Sequence, residues 1–522
     1  MKKALFTFLL FGALVAAQAQ TIQVSGDQTG VWDADTVFVV GDVMVMDSLR
    51  VLPGTVVLFE DFFGITVSKG ATFAAQGTES DSIVFTVVDT TGFSRYFSAQ
   101  GGWNGFHLYR SGIFLLEYCV LEYGKAFLNH DWFGGVLNIE GCDDVSILHC
   151  TLRSSAAHER GGALCAVDSR VRLQSCAINN NTVFNEENMY LYGGGACFLR
   201  CDVEMSEMEF RGNNAPTIGG ALSIDSCSMV LDRSVFVDNV GVNGGGLYLM
   251  RSDKKCLMSN LLFDDNYSRH FGGGFALADV SPEIYNVLVT NNRSEGVSCN
   301  GVFFYGNSSP RITNSIVYGN YPPEGNAHTD STQMWVWTFE DNAPEFRNCL
   351  IEGGMKYINA SESITVFENV KDDDPLFVDA ERHDFRLQEG SPCRDAGSME
   401  TPDYVTEGLD LGGGRRVSNG RIDIGPYEYS GTAVSQFPAT PYARLVGNPL
   451  NANSFIEFDE AIKGEVSVSF YDLTGRCESS KLFDVEALRH LAIGDLSKGL
   501  APGIYLIEVK SQQGICTLKA VR

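Results

Sequence analysis

The chain has 522 residues, with 65 acidic against 38 basic side chains and a formal charge of −27. It therefore lacks the basic face that phosphate binding needs, which argues against nucleic acid as a partner. Aromatic residues at 11% exclude a disordered chain, and 55 glycines against 15 prolines point to a turn-rich β protein, long enough for a repeat array plus accessory domains.

Taken in chain order, the first element is an export signal. Met1-Lys2-Lys3 is a short basic segment, residues 4–17 are mostly apolar, and Ala17-Gln18-Ala19 has the small-x-small pattern of a signal-peptidase site. The apolar run is shorter than the ~20 residues that span a bilayer, so residues 1–19 are expected to be a cleaved signal peptide. No later stretch reads as a transmembrane span. The acid excess suits solubility outside the cell.

The second element is a repeat. A Gly-Gly-apolar motif recurs at Gly134-Gly135-Val136, Gly161-Gly162-Ala163, Gly194-Gly195-Ala196, Gly219-Gly220-Ala221, Gly245-Gly246-Leu247 and Gly273-Gly274-Phe275, with steps of 27, 33, 25, 26 and 28 residues between the second glycines. A second motif ends in asparagine at Asn181, Asn213, Asn239, Asn266, Asn292 and Asn320, with steps of 32, 26, 27, 26 and 28. Both series lengthen at one point, which marks residues 183–192 as an inserted loop. Between the motifs lie short alternating apolar stretches, such as residues 229–231 and 235–237, with the period of strands.

A coil of about 26 residues holding three short strands is one rung of a β-solenoid, whose stacked rungs pair at ~4.8 Å. Residues 20–370 would make roughly 13 rungs, on the order of 60 Å long. The glycine pair is expected to permit a tight corner with φ > 0. The asparagine is expected to tolerate left-handed geometry and to bond its copy one rung away.

The repeat also places the cysteines. Aligned rungs put Cys119, Cys150, Cys176 and Cys349 in one slot, filled elsewhere by Met208, Ser234, Leu261, Val287 and Ser315. Such occupants indicate a buried face on which thiols stack as small apolar groups. Disulfides remain the alternative for an exported chain with 14 cysteines. Without Cys-x-x-Cys or paired Cys/His spacing, zinc is disfavoured.

The two-motif pattern resembles the polymorphic outer-membrane-protein repeat and the wider pectate-lyase-like superfamily. The resemblance implies an all-β fold, a right-handed parallel β-helix. Residues 371–429 run through Asp372-Asp373-Asp374-Pro375, Gly390-Ser391-Pro392-Cys393-Arg394-Asp395 and Ile424-Gly425-Pro426-Tyr427-Glu428. They are similar to the choice-of-anchor Q family, which implies a cap over the exposed edge of the last rung. The acidic run either binds Ca²⁺ or is a solvated turn before Pro375.

Residues 430–442 read as a linker. Residues 443–522 alternate as strands and are expected to form a small seven-stranded Ig-like β-sandwich. Gly447-Asn448-Pro449, Tyr471-Asp472, Gly475-Arg476, Gly503, Tyr505 and Lys519 resemble the C-terminal sorting domain of the type IX secretion system of Bacteroidota. That resemblance implies passage through the type IX machinery to the outer-membrane surface, followed by attachment to anionic lipopolysaccharide or release. Asp35-Thr36-Val37, Asp47-Ser48-Leu49 and Asp81-Ser82-Ile83 are similar to that phylum's three-residue O-glycosylation pattern.

Fold alone does not give function. β-Helix lyases need a strong base, usually beside Ca²⁺, and hydrolases need paired carboxylates. Asp238, Asp264 and Asp265 sit just before the asparagine turns, where a solvated turn also explains them; Lys254, Lys255, Arg269 and His270 read as ordinary exposed residues. His130, Asp131 and Trp132 form a polar-aromatic loop, and Trp335 and Trp337 flank Val336 in an expected irregular insertion. These five residues are the binding candidates, because indole stacks on the C–H faces of sugars, with core packing as the other explanation. The reading is a non-catalytic surface protein that binds a glycan or host ligand, with a polysaccharide lyase or hydrolase as the alternative and a structural surface-layer role behind both.

Overall fold

The structure is a computed structural model. It describes residues 20–127, 133–184, 192–295, 299–321, 333–339, 343–360, 364, 366–418 and 420–430, and, towards the C-terminus, 443–446, 450, 454–471, 477–496, 498–500, 504–511 and 514–521. It divides into two compact units, residues 1–431 and 432–522.

One rung shows how the sequence builds the first unit. Ala196–Leu199, Asp202–Ser206 and Glu209–Arg211 are three strands, turned at Arg200, Glu207 and Gly212 by left-handed residues with φ of 54°, 57° and 63°. Within the second strand Val203 and Met205 point inward and Asp202 and Glu204 outward, the period-two alternation of a half-buried strand. Each strand pairs in parallel with its copies in the rungs before and after.

Three parallel sheets result. Among the described residues the third sheet runs through thirteen strands, joined in register through Thr21, Thr36, Val56, Ile83, Cys119, Thr151, Ala177, Glu209, Val235, Leu262, Leu288, Ile316 and Leu350, with Val235 and Leu262 inside longer strands. The inward side chains form one continuous apolar core, including Phe210, Phe236 and Phe263 stacked at centroid spacings of 4.7 and 4.6 Å. Residues 21–370 form a parallel β-helix.

The N-terminal rungs differ from the 26-residue period. Thr21 pairs with Thr36 and Thr36 with Val56, so these coils are shorter. Thr21–Trp32 and Thr36–Val51 run through all three sheets as unbroken strands, bent where the register slips, in the first of them at left-handed Gly26 and Gly30.

The glycine corners divide the labour. The first glycine takes the left-handed conformation, with φ of 64° at Gly134, 59° at Gly161 and 67° at Gly193, Gly219 and Gly244; strand register therefore corrects three copies of the motif, whose corner pairs are Gly193-Gly194, Gly244-Gly245 and Gly272-Gly273, one residue earlier than expected. The next one permits close stacking: a Cβ on Gly194 would overlap the carbonyl oxygen of Gly220, and on Gly220 that of Gly245.

The asparagines form a buried ladder. Nδ2 of Asn181, Asn213, Asn239, Asn266 and Asn292 donates to Oδ1 of the next asparagine at 3.1, 3.0, 2.9, 2.9 and 3.0 Å, and Asn320 continues to Gln333 Oε1 at 2.8 Å. The expectation of left-handed geometry at these residues is corrected: it falls one residue earlier, at Asn180, Gly212, Asp238, Asp265, Asn291 and Gly319. That turn swings the asparagine inward, where its amide satisfies backbone groups that would otherwise be buried unpaired.

The cysteine slot is in register. Cys119 N–H donates to Cys150 Sγ and Cys150 N–H to Cys176 Sγ, both at 3.4 Å, and Met208 N–H to Ser234 Oγ at 3.1 Å. A second ladder at the preceding corner contains Cys142, Ser169, Cys201 and Cys227. All twelve cysteines whose side chains are described are buried and free. Burial pushes the Cys299 and Cys349 thiols up to about 12 and those of Cys150 and Cys176 well above the usual value. Thiolate being the reactive form, native protein at pH 8 should leave these four unalkylated by iodoacetamide. Denaturation without reductant should make all twelve alkylatable; mapping by mass spectrometry checks both, and a pair that stays blocked until reduction would contradict the thiol assignment.

Residues 371–429 pack along the flank of the last rungs, not across their end, which corrects the expected cap. The reason is an outward apolar row, Leu262, Leu288, Ile316 and Leu350, which buries against Phe385, Leu387, Cys393, Leu411 and Ile424. The left-handed corner residues Asn286, Asn314 and Asn348 dock the segment: their amides donate to Asp423 O and Gly425 O, Ser398 O, and Ala396 O at 3.0–3.2 Å. Its own return is held by buried Arg416, 3.2 Å from Glu428 and donating to Gly425 O at 2.9 Å. Core at the end of the solenoid is met instead by Ala360, Ile364, Phe367 and Val370.

The second unit is an antiparallel sheet around its own core of Ile456, Phe458, Val466, Val468, Phe470, Ile507 and Val509. It has five strands among the described residues, where alternation pointed to seven. Phe455–Tyr471 and Cys477–Ala492 are single strands of 17 and 16 residues whose register slips replace turns. No described helix is long and apolar enough to cross a membrane.

Candidate functional site: an aromatic platform on the first sheet

Strand alternation puts an aromatic cluster outside the solenoid near its C-terminal end. In Val302–Gly306 and Met334–Thr338, Val302, Phe304, Met334 and Val336 fill the core. Phe303 pairs in register with Trp335, and Tyr305 with Trp337, on the outer face. Met334–Thr338 is thus a regular rung strand, which corrects the expected irregular insertion: the Met-x-Val-x-Thr alternation satisfies the core, and both indoles must point out.

The cluster has a packed foundation and an open top. Trp335 meets Phe271 edge-on at 5.0 Å and Phe303 at 5.7 Å, above buried Ala276 and Cys299. Trp337 lies parallel to Trp335 at 5.5 Å and 9°, and Tyr305 meets Trp337 and Phe339 edge-on at 5.7 and 5.4 Å. Trp337 and Phe339 remain 44% and 45% exposed. Core packing and ligand stacking were the two explanations for these tryptophans; Trp335 packs against its neighbours, whereas Trp337 presents open ring surface that foundation holds in place.

Polar groups edge the platform. Asp279 is turned out by a left-handed corner, and its Oδ1 accepts from Asn307 N and Nδ2 at 2.9 and 3.1 Å. One rung earlier Arg251 is bound to Asp225, so its charge is offset. Burial raises the nearby Tyr248 phenol to about 12, keeping it a neutral donor.

Of the other predicted residues, His130, Asp131 and Trp132 lie outside the described residues. Their flanks are described: Phe127 packs on Phe62 at 5.3 Å, and Phe133 lies under the Arg160 guanidinium at 5.2 Å. Gly447, Asn448, Pro449, Asp472, Gly475, Arg476 and Gly503 of the sorting-domain pattern also lie outside them. Tyr505 is buried in the core of the second unit. Tyr471 pairs with Leu506, which pairs in turn with Lys519.

The expectation of merely solvated carboxylates fails at Asp264, which is 2% exposed: it accepts from Asn291 Nδ2 at 2.8 Å and faces His383 Nδ1 at 2.6 Å. His383 arrives from a segment 119 residues away, beyond the reach of motif spacing. Asp374 Oδ1 accepts from Leu376 N at 2.8 Å, the geometry of a turn into Pro375. Among the described residues no group of three or more His, Cys, Asp or Glu side chains is arranged to hold a metal ion.

Comparison with known proteins agrees with the fold. Residues 134–370 match the family described as a right-handed β-helix region. None of the curated proteins matches the chain. The matched β-helix region contains the glycine corners, the asparagine ladder and the whole platform.

Sequence reasoning found two of the platform's six rings. Phe271, Phe303, Tyr305 and Phe339 were missed, because the rung that carries Phe303 and Tyr305 opens on Asn300-Gly301 and lacks the glycine pair used for alignment.

Proposed function

We propose that this chain is an exported, non-catalytic β-helix protein whose platform holds a neutral glycan. The observation that carries the reading is the open Trp337 ring, braced by Trp335 and Tyr305 and edged by hydrogen-bonding groups. Sugars whose hydroxyls are equatorial offer apolar C–H faces to such rings, as β-linked glucans do, while Asp279 and Tyr248 suit hydroxyl partners. A uronate polymer would bring carboxylates to an acidic chain beside an arginine already matched by Asp225, which favours an uncharged ligand. Export and surface display rest on residues 1–19 and on the likeness of residues 443–522 to a type IX sorting domain; under this reading the mature protein is anchored through anionic lipopolysaccharide or released. Polysaccharide lyase or glycoside hydrolase chemistry on the same scaffold is the second reading.

The platform is tested by Trp337→Ala in the full chain, titrated calorimetrically with a β-linked glucan oligosaccharide. Affinity should fall at least about tenfold, in keeping with buried aromatic anchors. Tyr109→Ala, an exposed aromatic on the same sheet far from the cluster, should leave it unchanged. Equal affinity for wild type and Trp337→Ala would remove the platform from the binding site.

A further inference from the structure

A histidine joins two parts of the first unit at a point rich in carboxylates. His383 ends a short 3-10 turn in the left-handed conformation, within the hairpin of Phe377–Asp379 and Asp384–Leu387. Its Nδ1 faces Asp264 on the third sheet at 2.6 Å, and Asp265 and Asp238 are the next charges around it. The carboxylates have only partial compensation from the solenoid itself: Arg293 binds Asp265, and Arg211 is divided between Asp238 at 3.2 Å and Glu209 at 3.1 Å. On the hairpin side the neighbouring charges pair among themselves, Arg386 with Asp384 and Arg382 with Asp379 at 3.8 Å, and the half-buried Tyr427 phenol is a further titratable group nearby.

We propose that His383 is a proton-operated latch, which fastens residues 377–387 to the third sheet when charged and releases them when neutral. Protonated, the imidazolium donates to Asp264 and offsets three carboxylates. Neutral, it leaves that cluster one positive charge short and weakens the tie across the seam. Phe385 and Leu387 belong to the buried cluster that encloses Leu262 and Leu288, so release exposes apolar surface. The hydrogen bond to Asp264, followed by the surrounding carboxylates, raises the His383 pKa above 6.5 against the opposing effect of burial. A raised folded-state value means that the fastening is fully present below pH 6.5 and is lost as pH rises through the raised value.

The test is hydrogen exchange of the full chain between pH 6 and 9, corrected for intrinsic base catalysis, together with the C2-proton titration of His383 assigned by His383→Gln. In wild type the opening constant of the 377–387 peptide should grow with pH, by up to about tenfold per unit within the window, then level off. His383→Gln and Asp264→Asn should give flat profiles at the open level, with residues 235–237 of the ladder region still protected, which shows that the solenoid is folded. A titration midpoint at or below 6.5, a flat wild-type profile, or an unchanged slope in His383→Gln would each overturn the latch.

Discussion

Gly245→Ala is expected to abolish folding of the central rungs, whereas Gly70→Ala should cost only about 1 kcal/mol. The contrast separates the two uses of glycine. Gly70 has φ of +75° with nothing within 4 Å of an added Cβ, so alanine there meets only left-handed backbone strain, roughly 1–2 kcal/mol. Gly245 is not in the left-handed region, but its Cβ would overlap the Gly273 carbonyl oxygen and lie 2.6 Å from that of Tyr267. Both atoms belong to the next rung, whose backbone is fixed by pairing above and below. Relief requires the rungs to separate, which breaks three sheets at once and places the loss beyond about 4 kcal/mol, the range reserved for gross core disruption. Urea unfolding followed by circular dichroism checks both variants; comparable midpoints would contradict the stacking argument.

Asn239→Ala should be the most damaging alanine substitution in the ladder region. Asn239 Oδ1 accepts from both N and Nδ2 of Asn213 at 3.0 Å, and its Nδ2 donates to Asn266 Oδ1 and Phe210 O, each at 2.9 Å. Removal leaves the Asn213 backbone N–H and one proton of its amide buried with neither protein nor solvent partner, and takes one of the donors from the Phe210 carbonyl. At roughly 1–3 kcal/mol per orphaned group, the loss is on the order of 2–6 kcal/mol. Asn239→Asp should do no better, because it puts a carboxylate into a fully buried site. Thermal unfolding measures the effect, and a shift of a degree or two in either variant would show that the ladder is ornamental to stability.

What the sequence revealed follows from what repeats. Glycine corners, asparagines and the thiol slot recur at one period because each rung meets the same steric and hydrogen-bonding problem. The rung register is therefore legible at the asparagines and at the thiol slot shared by Cys119, Cys150, Cys176 and Cys349, while runs of three glycines left the corner pair ambiguous by one residue. The N-terminal coils were indistinct because they carry neither motif: Thr21–Trp32 and Thr36–Val51 solve their corners by slipping register. The lateral cover of residues 371–429 was readable in principle, since Leu262, Leu288, Ile316 and Leu350 occupy one outward position in successive rungs where earlier rungs begin with Glu209 or Thr151. Trp335 and Trp337 were expected in an irregular segment, because Met334 and Thr338 were not recognised as core positions. The partnership of His383 with Asp264 depends on how a long covering segment folds back, and no local pattern encodes that.

The measurement that bears most directly on function is retention of the purified full chain on immobilised glycans spanning neutral and uronate polymers, with unsaturated-uronate absorbance followed in the same wells. A glycan held by the Trp337 platform predicts retention on neutral β-linked polymers with no growth in absorbance. Absorbance rising on uronate polymers, or retention there and nowhere else, would contradict it.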